Sequence, residues 1–171
     1  MGAGKTTTGK DLARLLNYDF LDLDQAVEDE CGMKIPKIFE ESGEAYFREK
    51  ESGVIDSLKT KKHYVVSTGG GVWLKQENRQ KLLELGLCIW LKVSAEKAFN
   101  RIESHLSQRP LIASSKNPLK TMAGLLTKRE PEYLKAHLMV DTNVKNPKQV
   151  AQEIADLLKK EKPFDLRSMQ K

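Results

Sequence analysis

Met1-Gly2-Ala3-Gly4-Lys5-Thr6-Thr7 opens the sequence and matches most of the pattern G-x-x-x-x-G-K-S/T. Gly4 is the second glycine of this pattern, Lys5 its lysine and Thr6 its hydroxyl residue. Small residues let successive backbone N–H groups curl around a phosphate, and a helix that begins after the lysine adds the positive end of its dipole. The run therefore predicts a phosphate-binding loop of the Walker A type. The alternative interpretation is a glycine-rich turn that caps an ordinary helix.

The loop also predicts its ligands, a nucleotide and a metal ion. Lys5 would reach the β- and γ-phosphates of the nucleotide, and the Thr6 hydroxyl would be a ligand of magnesium. The first glycine of the pattern would lie two residues before Met1, and an apolar strand should lead into it. We therefore expect Met1 to be an internal methionine, preceded by an apolar β-strand that ends in glycine.

The chain has 171 residues, 39% of them hydrophobic and 31% charged, which is the size and composition of one ordinary globular domain. No apolar run approaches the roughly 20 residues that span a bilayer, and no signal peptide is visible. We therefore expect no membrane association and a cytoplasmic location.

Cys31 and Cys88 are too few and too far apart for a disulfide framework or a zinc site, so free thiols are expected.

The net charge of +5 is concentrated in two segments. Residues 159–171 contribute +3 and residues 102–128 another +3, so the rest of the chain nets −1. A basic tail is usually a solvated end, and a basic segment inside a phosphate-handling enzyme needs no nucleic acid to explain it. We therefore expect no nucleic-acid partner.

Helical and strand-like segments alternate along the chain. Helices are predicted over residues 6–16, 26–31, 36–41, 44–58, 77–85, 95–102, 119–135 and 147–158, and strands over 19–24, 63–67, 87–93 and 138–140. This order predicts an α/β fold whose parallel sheet is covered by helices on both faces, with a fifth strand before Met1. Residues 1–160 are expected to form a single domain and residues 161–171 a tail.

One stretch, over about residues 102–118, is polar and lacks periodicity. Long aperiodic loops are uncommon inside compact domains and often act as lids, so we predict a lid here with Arg109 near its middle.

Asp22 and Asp24 stand two residues apart at the end of the predicted strand 19–24. Because strand side chains alternate, both carboxylates would share a face at the carboxyl end of the sheet, where open α/β sheets bind ligands. Asp22 would hold the magnesium ion, and Asp24 would orient the acceptor hydroxyl or take its proton. The alternative is a pair of solvated residues at a strand end.

Three arginines and a run of glycines could complete a phosphoryl-transfer site. The run Gly69-Gly70-Gly71 marks a place where backbone turns sharply or approaches another group closely. Arg48, Arg109 and Arg129 are each weak signals, because a surface, loop or capping role would explain any one of them. Together they supply cations at a lid and at an acceptor pocket, as transfer of a γ-phosphoryl group to a small acid requires. The planar arginine fork suits a carboxylate.

The combined pattern resembles the shikimate kinases, small relatives of the nucleoside monophosphate kinases. The motifs concerned are G-A-G-K-T-T (2–7), L-D-L-D (21–24), F-R-x-x-E (47–51), T-G-G-G (68–71), R-P-L (109–111), R-x-P-x-Y (129–133) and D-T-N-x-x-N-P (141–147). They extend over nearly the whole chain except its tail, and the joint pattern is highly specific. The resemblance implies a three-layer α/β/α P-loop kinase fold with a five-stranded parallel sheet. It also implies a monomer that uses ATP and Mg²⁺ to phosphorylate the 3-hydroxyl of shikimate in aromatic amino-acid (chorismate) biosynthesis.

The resemblance implies roles on the nucleotide side of the site. Lys5 and the backbone of the loop would hold the ATP phosphates, the loop residues being Gly2, Ala3, Gly4, Lys5, Thr6 and Thr7. Thr6 would bind magnesium and Asp22 would support the ion through its water shell. Arg109 would come down with the lid onto the phosphates, and Lys145 would line the adenine pocket.

The resemblance implies further roles on the acceptor side. Asp24 would bind the shikimate hydroxyls and act as the base. Arg48 and Arg129 would clamp the substrate carboxylate, and the Gly70 backbone would close the acceptor site. The predicted catalytic residues are thus Lys5, Asp24 and Arg109.

Two other functions are compatible with the Walker A loop. A different small-molecule P-loop kinase, such as a gluconate or nucleotide kinase, would share the loop but not the set of D-x-D, triple glycine and paired arginines. A nucleotide-binding protein without catalysis would retain ATP affinity but phosphorylate no acceptor, and the presence of Asp24 and Arg48 argues against it.

Overall fold

In the computed structural model of this chain, which describes residues 2–103 and 115–160, helices alternate with short parallel strands. The helices are α1 (Lys5–Leu16), α2 (Leu23–Cys31), α3 (Ile35–Ser57), α4 (Gln76–Leu85), α5 (Ala95–Ile102), α6 (Pro118–Tyr133) and α7 (Pro147–Lys160). The strands are β1 (Asp19–Asp22), β2 (Tyr64–Ser67), β3 (Ile89–Lys92) and β4 (Leu138–Asp141). This order confirms the predicted α/β class. Most of the predicted lid, including Arg109, and the tail 161–171 lie outside the described residues.

The strands form two parallel pairs. β1 pairs with β2, with Asp19 opposite Tyr64, and β3 pairs with β4, with Ile89 opposite Leu138. A cavity of about 580 Å³ is lined by both β2 and β3, so it lies between the two pairs. The described residues thus supply four strands, and the fifth strand stays a prediction.

One sequence prediction about this sheet is wrong. The strand was expected to run to residue 24 with both carboxylates on one face, but β1 ends at Asp22 and Leu23 begins α2. The Asp22 carboxylate is the helix cap, because its Oδ1 accepts hydrogen bonds from the backbone N–H groups of Asp24 at 3.1 Å and Gln25 at 3.4 Å. An aspartate that satisfies the free donors of a first helical turn favours helix over strand at the next residue.

Helix α1 follows the phosphate loop directly and is anchored by its buried face. It ends at Leu16, as predicted, and Asn17 follows in the left-handed conformation. Gly9 lies against the Phe20 ring, since a Cβ at this position would be 2.7 Å from the ring. Leu12 packs into a core with residues from β4 and α7, namely Val140, Val150, Ala151, Ile154 and Ala155. The helix that follows the phosphate loop is therefore held in place by a well-packed buried face.

The largest core cluster lies under the acceptor side. Leu23, Val27, Ile38 and Ile55 are fully buried there, and they come from α2 and α3. The predicted helices 36–41 and 44–58 form one element, α3, with a kink at Gly43 (φ 79°) in the left-handed region. The kink lets both halves of α3 pack on the same core.

Helix α6 contains Pro131 near its end. Within residues 2–103 and 115–160, no helix combines the length and apolar composition that crossing a bilayer requires.

Candidate active site

The phosphate loop has the backbone conformation that its glycines allow. Gly2 (φ 67°) and Gly4 (φ 80°) both lie in the left-handed region. A Cβ on Gly2 would lie 2.5 Å from the Ala98 carbonyl oxygen, so α5 packs tightly against the loop. The Gly4 carbonyl accepts the first helical hydrogen bond, from the Thr8 N–H at 2.9 Å. The loop therefore leads into α1 with no side-chain cap on the helix N-terminus.

Lys5 borders the cavity between the two strand pairs. Ala3, Gly69 and Gly70 border the same cavity, at the edge where β2 ends. The cavity runs along the gap between the strand pairs as far as His63 and Leu87, and the phosphate loop and the triple glycine border it at the carboxyl end of the strands.

Thr6 and Asp22 form an oxygen pair beside the loop. The Thr6 hydroxyl donates to Asp22 Oδ2 at 2.7 Å. A hydroxyl and a carboxylate are the hard oxygen ligands that Mg²⁺ prefers, so this donor set fits the predicted ion. Among the described residues, no group of three or more His, Cys, Asp and Glu side chains could hold a metal, and Mg²⁺ at nucleotide sites commonly takes its other ligands from phosphates and water.

The acceptor cluster consists of Asp24, Arg48, Glu51, Gly69 and Gly71. A Cβ on Gly69 would lie 2.6 Å from Asp24 Oδ1 and 3.4 Å from Glu51 Oε1. A Cβ on Gly71 would lie 2.7 Å from Arg48 Nη1. A side chain at either position would therefore displace a charged group, so the backbone approaches these side chains closely, as the triple glycine indicated.

Glu51 anchors Arg48 in this cluster. The Glu51 side chain is 1% exposed, and its Oε2 lies 2.5 Å from Arg48 Nη1. Burial raises the pKa of Glu51 and the Asp24 charge adds to this effect, although Arg48 opposes it. Burial acts against the charged form of Arg48, but the hydrogen bonds and charges of Glu51 and Glu44 outweigh it and raise the pKa of Arg48. The guanidinium is therefore held charged and in a fixed orientation.

Arg129 lies on α6, one turn before Tyr133, and is half-buried. The Tyr133 hydroxyl donates to the Gly70 carbonyl at 2.9 Å, which joins this helix to the triple glycine. Side chains four residues apart share a helix face, so Arg129 lies on the same face of α6 as Tyr133.

Lys145 lies between β4 and α7, and its Nζ is 2.7 Å from Glu153 Oε2.

Arg101, for which the sequence predicted no role, holds the phosphate loop from α5. Its Nη1 donates to the Gly2 carbonyl at 3.2 Å and its Nη2 to the Thr142 carbonyl at 2.6 Å. No sequence pattern marks this residue, because its partners are remote in the chain.

Glu51 and Tyr133 are two further residues that sequence reasoning left without roles. Both fall in the quoted motifs F-R-x-x-E and R-x-P-x-Y. The spacing of Arg48 and Glu51 was an available signal, since residues three apart on a helix are neighbours.

The fold and this arrangement of groups define a P-loop kinase. The family model described as shikimate kinase matches residues 1–159. The chain therefore belongs to the shikimate kinase family, which confirms the resemblance seen in the sequence.

Relatives of known name and structure agree with this assignment. Shikimate kinase of Bordetella pertussis is 44% identical over 143 residues, which cover 83% of this chain and 67% of the relative. Shikimate kinase of Parasynechococcus marenigrum is 42% identical over 158 residues, or 92% of this chain and 82% of the relative. A structure of shikimate kinase from Acinetobacter baumannii in complex with shikimate matches with a TM-score of 0.86 and 37% identity, covering 100% of this chain and 91% of that one. The enzyme from Aquifex aeolicus matches with a TM-score of 0.78 and 34% identity, covering 94% and 92%.

Proposed function

We propose that this chain transfers the γ-phosphoryl group of ATP to the 3-hydroxyl of shikimate, giving shikimate 3-phosphate and ADP in aromatic amino-acid biosynthesis. The observation that carries the proposal is the acceptor cluster: a carboxylate and an anchored guanidinium meet a triple glycine that shares a cavity with Lys5. Membership of the shikimate kinase family and the similarity to a structure containing shikimate support it.

The phosphate loop binds the donor in this proposal. The backbone N–H groups of Gly2 to Thr7 and the Lys5 ammonium group hold the phosphates, and Lys5 stabilises the charge that develops during transfer. Arg109, in the predicted lid, would bind the same phosphates, and Lys145 would line the adenine pocket. Arg101 supports the loop through the Gly2 carbonyl.

Thr6 and Asp22 are the residues that would hold Mg²⁺. When bound, the ion neutralises charge on the transferring phosphates. The Thr6 hydroxyl would give up its 2.7 Å bond to Asp22 and offer its oxygen as a ligand. Asp22 would accept hydrogen bonds from the water shell while its other oxygen continues to cap α2.

The acceptor alcohol is positioned by three side chains and one stretch of backbone. Asp24 orients the 3-hydroxyl and accepts its proton as the oxygen attacks phosphorus. Arg48 and Arg129 bind the substrate carboxylate, for which two guanidinium groups supply both charge and direction. The Gly70 backbone closes the acceptor site, and its neighbours Gly69 and Gly71 leave room for Asp24 and Arg48.

We also propose that the protein acts as a monomer in the cytoplasm on a small-molecule substrate, without nucleic-acid or membrane partners. The support is compositional: two segments contribute the basic excess, and the rest of the chain has a net charge of −1.

The test is ADP release measured in parallel with shikimate, gluconate and nucleoside monophosphates. We expect ADP release above background with shikimate and not with gluconate or nucleoside monophosphates. Turnover with gluconate or a nucleoside monophosphate instead would show another small-molecule P-loop kinase. ATP binding without phosphorylation of any acceptor would show a non-catalytic nucleotide-binding protein.

A further inference from the structure

The last turn of α6 is joined by three polar contacts to the segment after β2 and to α4. The Tyr133 hydroxyl donates to the Gly70 carbonyl at 2.9 Å, and the Trp73 indole N–H donates to the Glu132 carbonyl at 2.7 Å. The Arg79 guanidinium, which lies on α4, is 2.5 Å from Glu132 Oε2. The segment after β2 and helix α4 thus both contact two consecutive residues of α6, Glu132 and Tyr133.

Arg79 is a charged residue in a buried position, and such a residue needs an explanation. It is 8% exposed, and its Nη1 also donates to the Trp73 carbonyl at 3.2 Å. A buried guanidinium is costly unless it is paired, and well-packed apolar residues of similar volume often serve stability as well or better. The contact therefore indicates a requirement for a defined geometry rather than for burial alone.

Helix α6 needs outside contacts at this point. Pro131 lacks the N–H that would bond to the carbonyl of residue 127, and its ring crowds that carbonyl. The direction of the last turn is therefore less determined by the helix itself. Arg129 lies on the same helix two residues before Pro131, so contacts that hold residues 132 and 133 help to set where the end of α6, and with it Arg129, lies.

We propose that Arg79, acting through Glu132 and Trp73, is a positioning residue that fixes Arg129 relative to Gly70 and Arg48. This inference rests on the proposed function, in which Arg48 and Arg129 bind the carboxylate of one acceptor. Arg48 is already held by Glu51 on α3, so the spacing of the two guanidinium groups depends on how α6 is held. The clamp of Trp73, Arg79, Glu132 and Tyr133 sets that spacing before substrate binds.

The variant Arg79→Met tests this role, because methionine keeps much of the length and removes the charge. Lys81→Met is the matched control: it removes an ion pair from the same helix, between Lys81 Nζ and Asp56 Oδ2 at 2.8 Å, on the side of α3. We expect Arg79→Met to raise KM for shikimate about tenfold, or ~1.4 kcal/mol, with KM for ATP within about twofold of wild type. Lys81→Met should change neither constant.

The partner residue provides a second variant. Glu132→Gln keeps an acceptor for Arg79 and should raise KM for shikimate less than Arg79→Met does. In the double variant the two effects should not add, since both substitutions weaken the same Arg79–Glu132 interaction. Full additivity would show that Arg79 and Glu132 act separately and would contradict the clamp.

Hydrogen exchange in the ligand-free protein tests the clamp apart from catalysis. We expect amides of residues 132–135 to exchange at least tenfold faster in Arg79→Met and at the wild-type rate in Lys81→Met. Unchanged exchange in Arg79→Met, or an equal loss of kcat and of affinity for both substrates, would overturn the inference. Failure of the wild-type protein to phosphorylate shikimate would instead overturn the proposed function, while exchange would still decide whether the clamp exists.

Discussion

The phosphate loop and the acceptor cluster meet one cavity through Lys5 and Gly69 but are built differently. The loop is six consecutive residues whose shape follows from two left-handed glycines and the start of α1. The acceptor cluster takes Asp24 from α2, Arg48 and Glu51 from α3, and its glycines from the segment after β2. A contiguous backbone site depends on local conformation, whereas a site assembled from several elements depends on the packing between them. We therefore expect the two regions to respond differently to substitution.

The largest effect is expected at the loop. Lys5→Met should lower kcat about a thousandfold, because removing one preorganised group that stabilises transition-state charge costs ~10²–10³ in rate. KM for shikimate should stay within about threefold, since the acceptor cluster is intact. Steady-state kinetics would measure both constants, and Lys10→Met, an exposed change on the same helix, is the control. A large change in shikimate KM would show that the two regions are not independent.

Asp24→Asn should lower kcat about a hundredfold and leave ATP affinity nearly unchanged. Asparagine can still orient the hydroxyl but cannot accept its proton, and general base catalysis is worth ~10²–10⁴. Titration with ATP alongside single-turnover kinetics would separate binding from chemistry. An equal loss of ATP affinity would mean that Asp24 serves the nucleotide instead.

Arg129→Ala should act on the acceptor and much less on chemistry. We expect KM for shikimate to rise about thirtyfold and kcat to fall less than fivefold, because a charge-assisted hydrogen bond contributes ~1.5–3 kcal/mol. Arg14→Ala, which removes an exposed arginine on α1 paired with Asp11, is the control. If kcat falls as much as KM rises, Arg129 contacts the transferring group rather than the carboxylate.

The smallest effect is expected from one methyl group at the triple glycine. In Gly69→Ala the new Cβ meets Asp24 Oδ1, the end of a side chain that can move, so we expect kcat/KM for shikimate to fall about tenfold. Gly53→Ala is the matched control, because nothing lies within 4 Å of a Cβ there and the position is inside α3. That variant should retain full activity and gain up to ~1 kcal/mol in stability. Equal kcat/KM values in both variants would show that the close approach of Asp24 to Gly69 does not matter for activity.

Much of the fold followed from patterns within short segments. The helices around Leu12 and Val150 show apolar residues at helical spacing, and both form near the predicted ranges. The end of β1 did not follow, because the same D-x-D residues suit a strand end or a capped helix. The contact of Asp22 Oδ1 with the Asp24 N–H decided between them.

Some residues of the candidate site could likewise be predicted from the sequence, and others could not. Thr6 and Asp22 were paired from their motifs, and the structure brings them to 2.7 Å. Arg101, Arg79 and Trp73 could not be assigned from sequence, because each acts on a residue more than forty positions away or on backbone that only folding brings near.

The amino-acid sequence alone determined the phosphate loop, the order of helices and strands, and the family, since these depend on residue type and short spacing. Only the tertiary structure decided how Glu51 holds Arg48, how Gly69 and Gly71 admit charged side chains, and how α6 is clamped beside them. The physical reason is range: backbone preference acts over a few residues, whereas the burial and pairing of charges depend on which distant segments pack together.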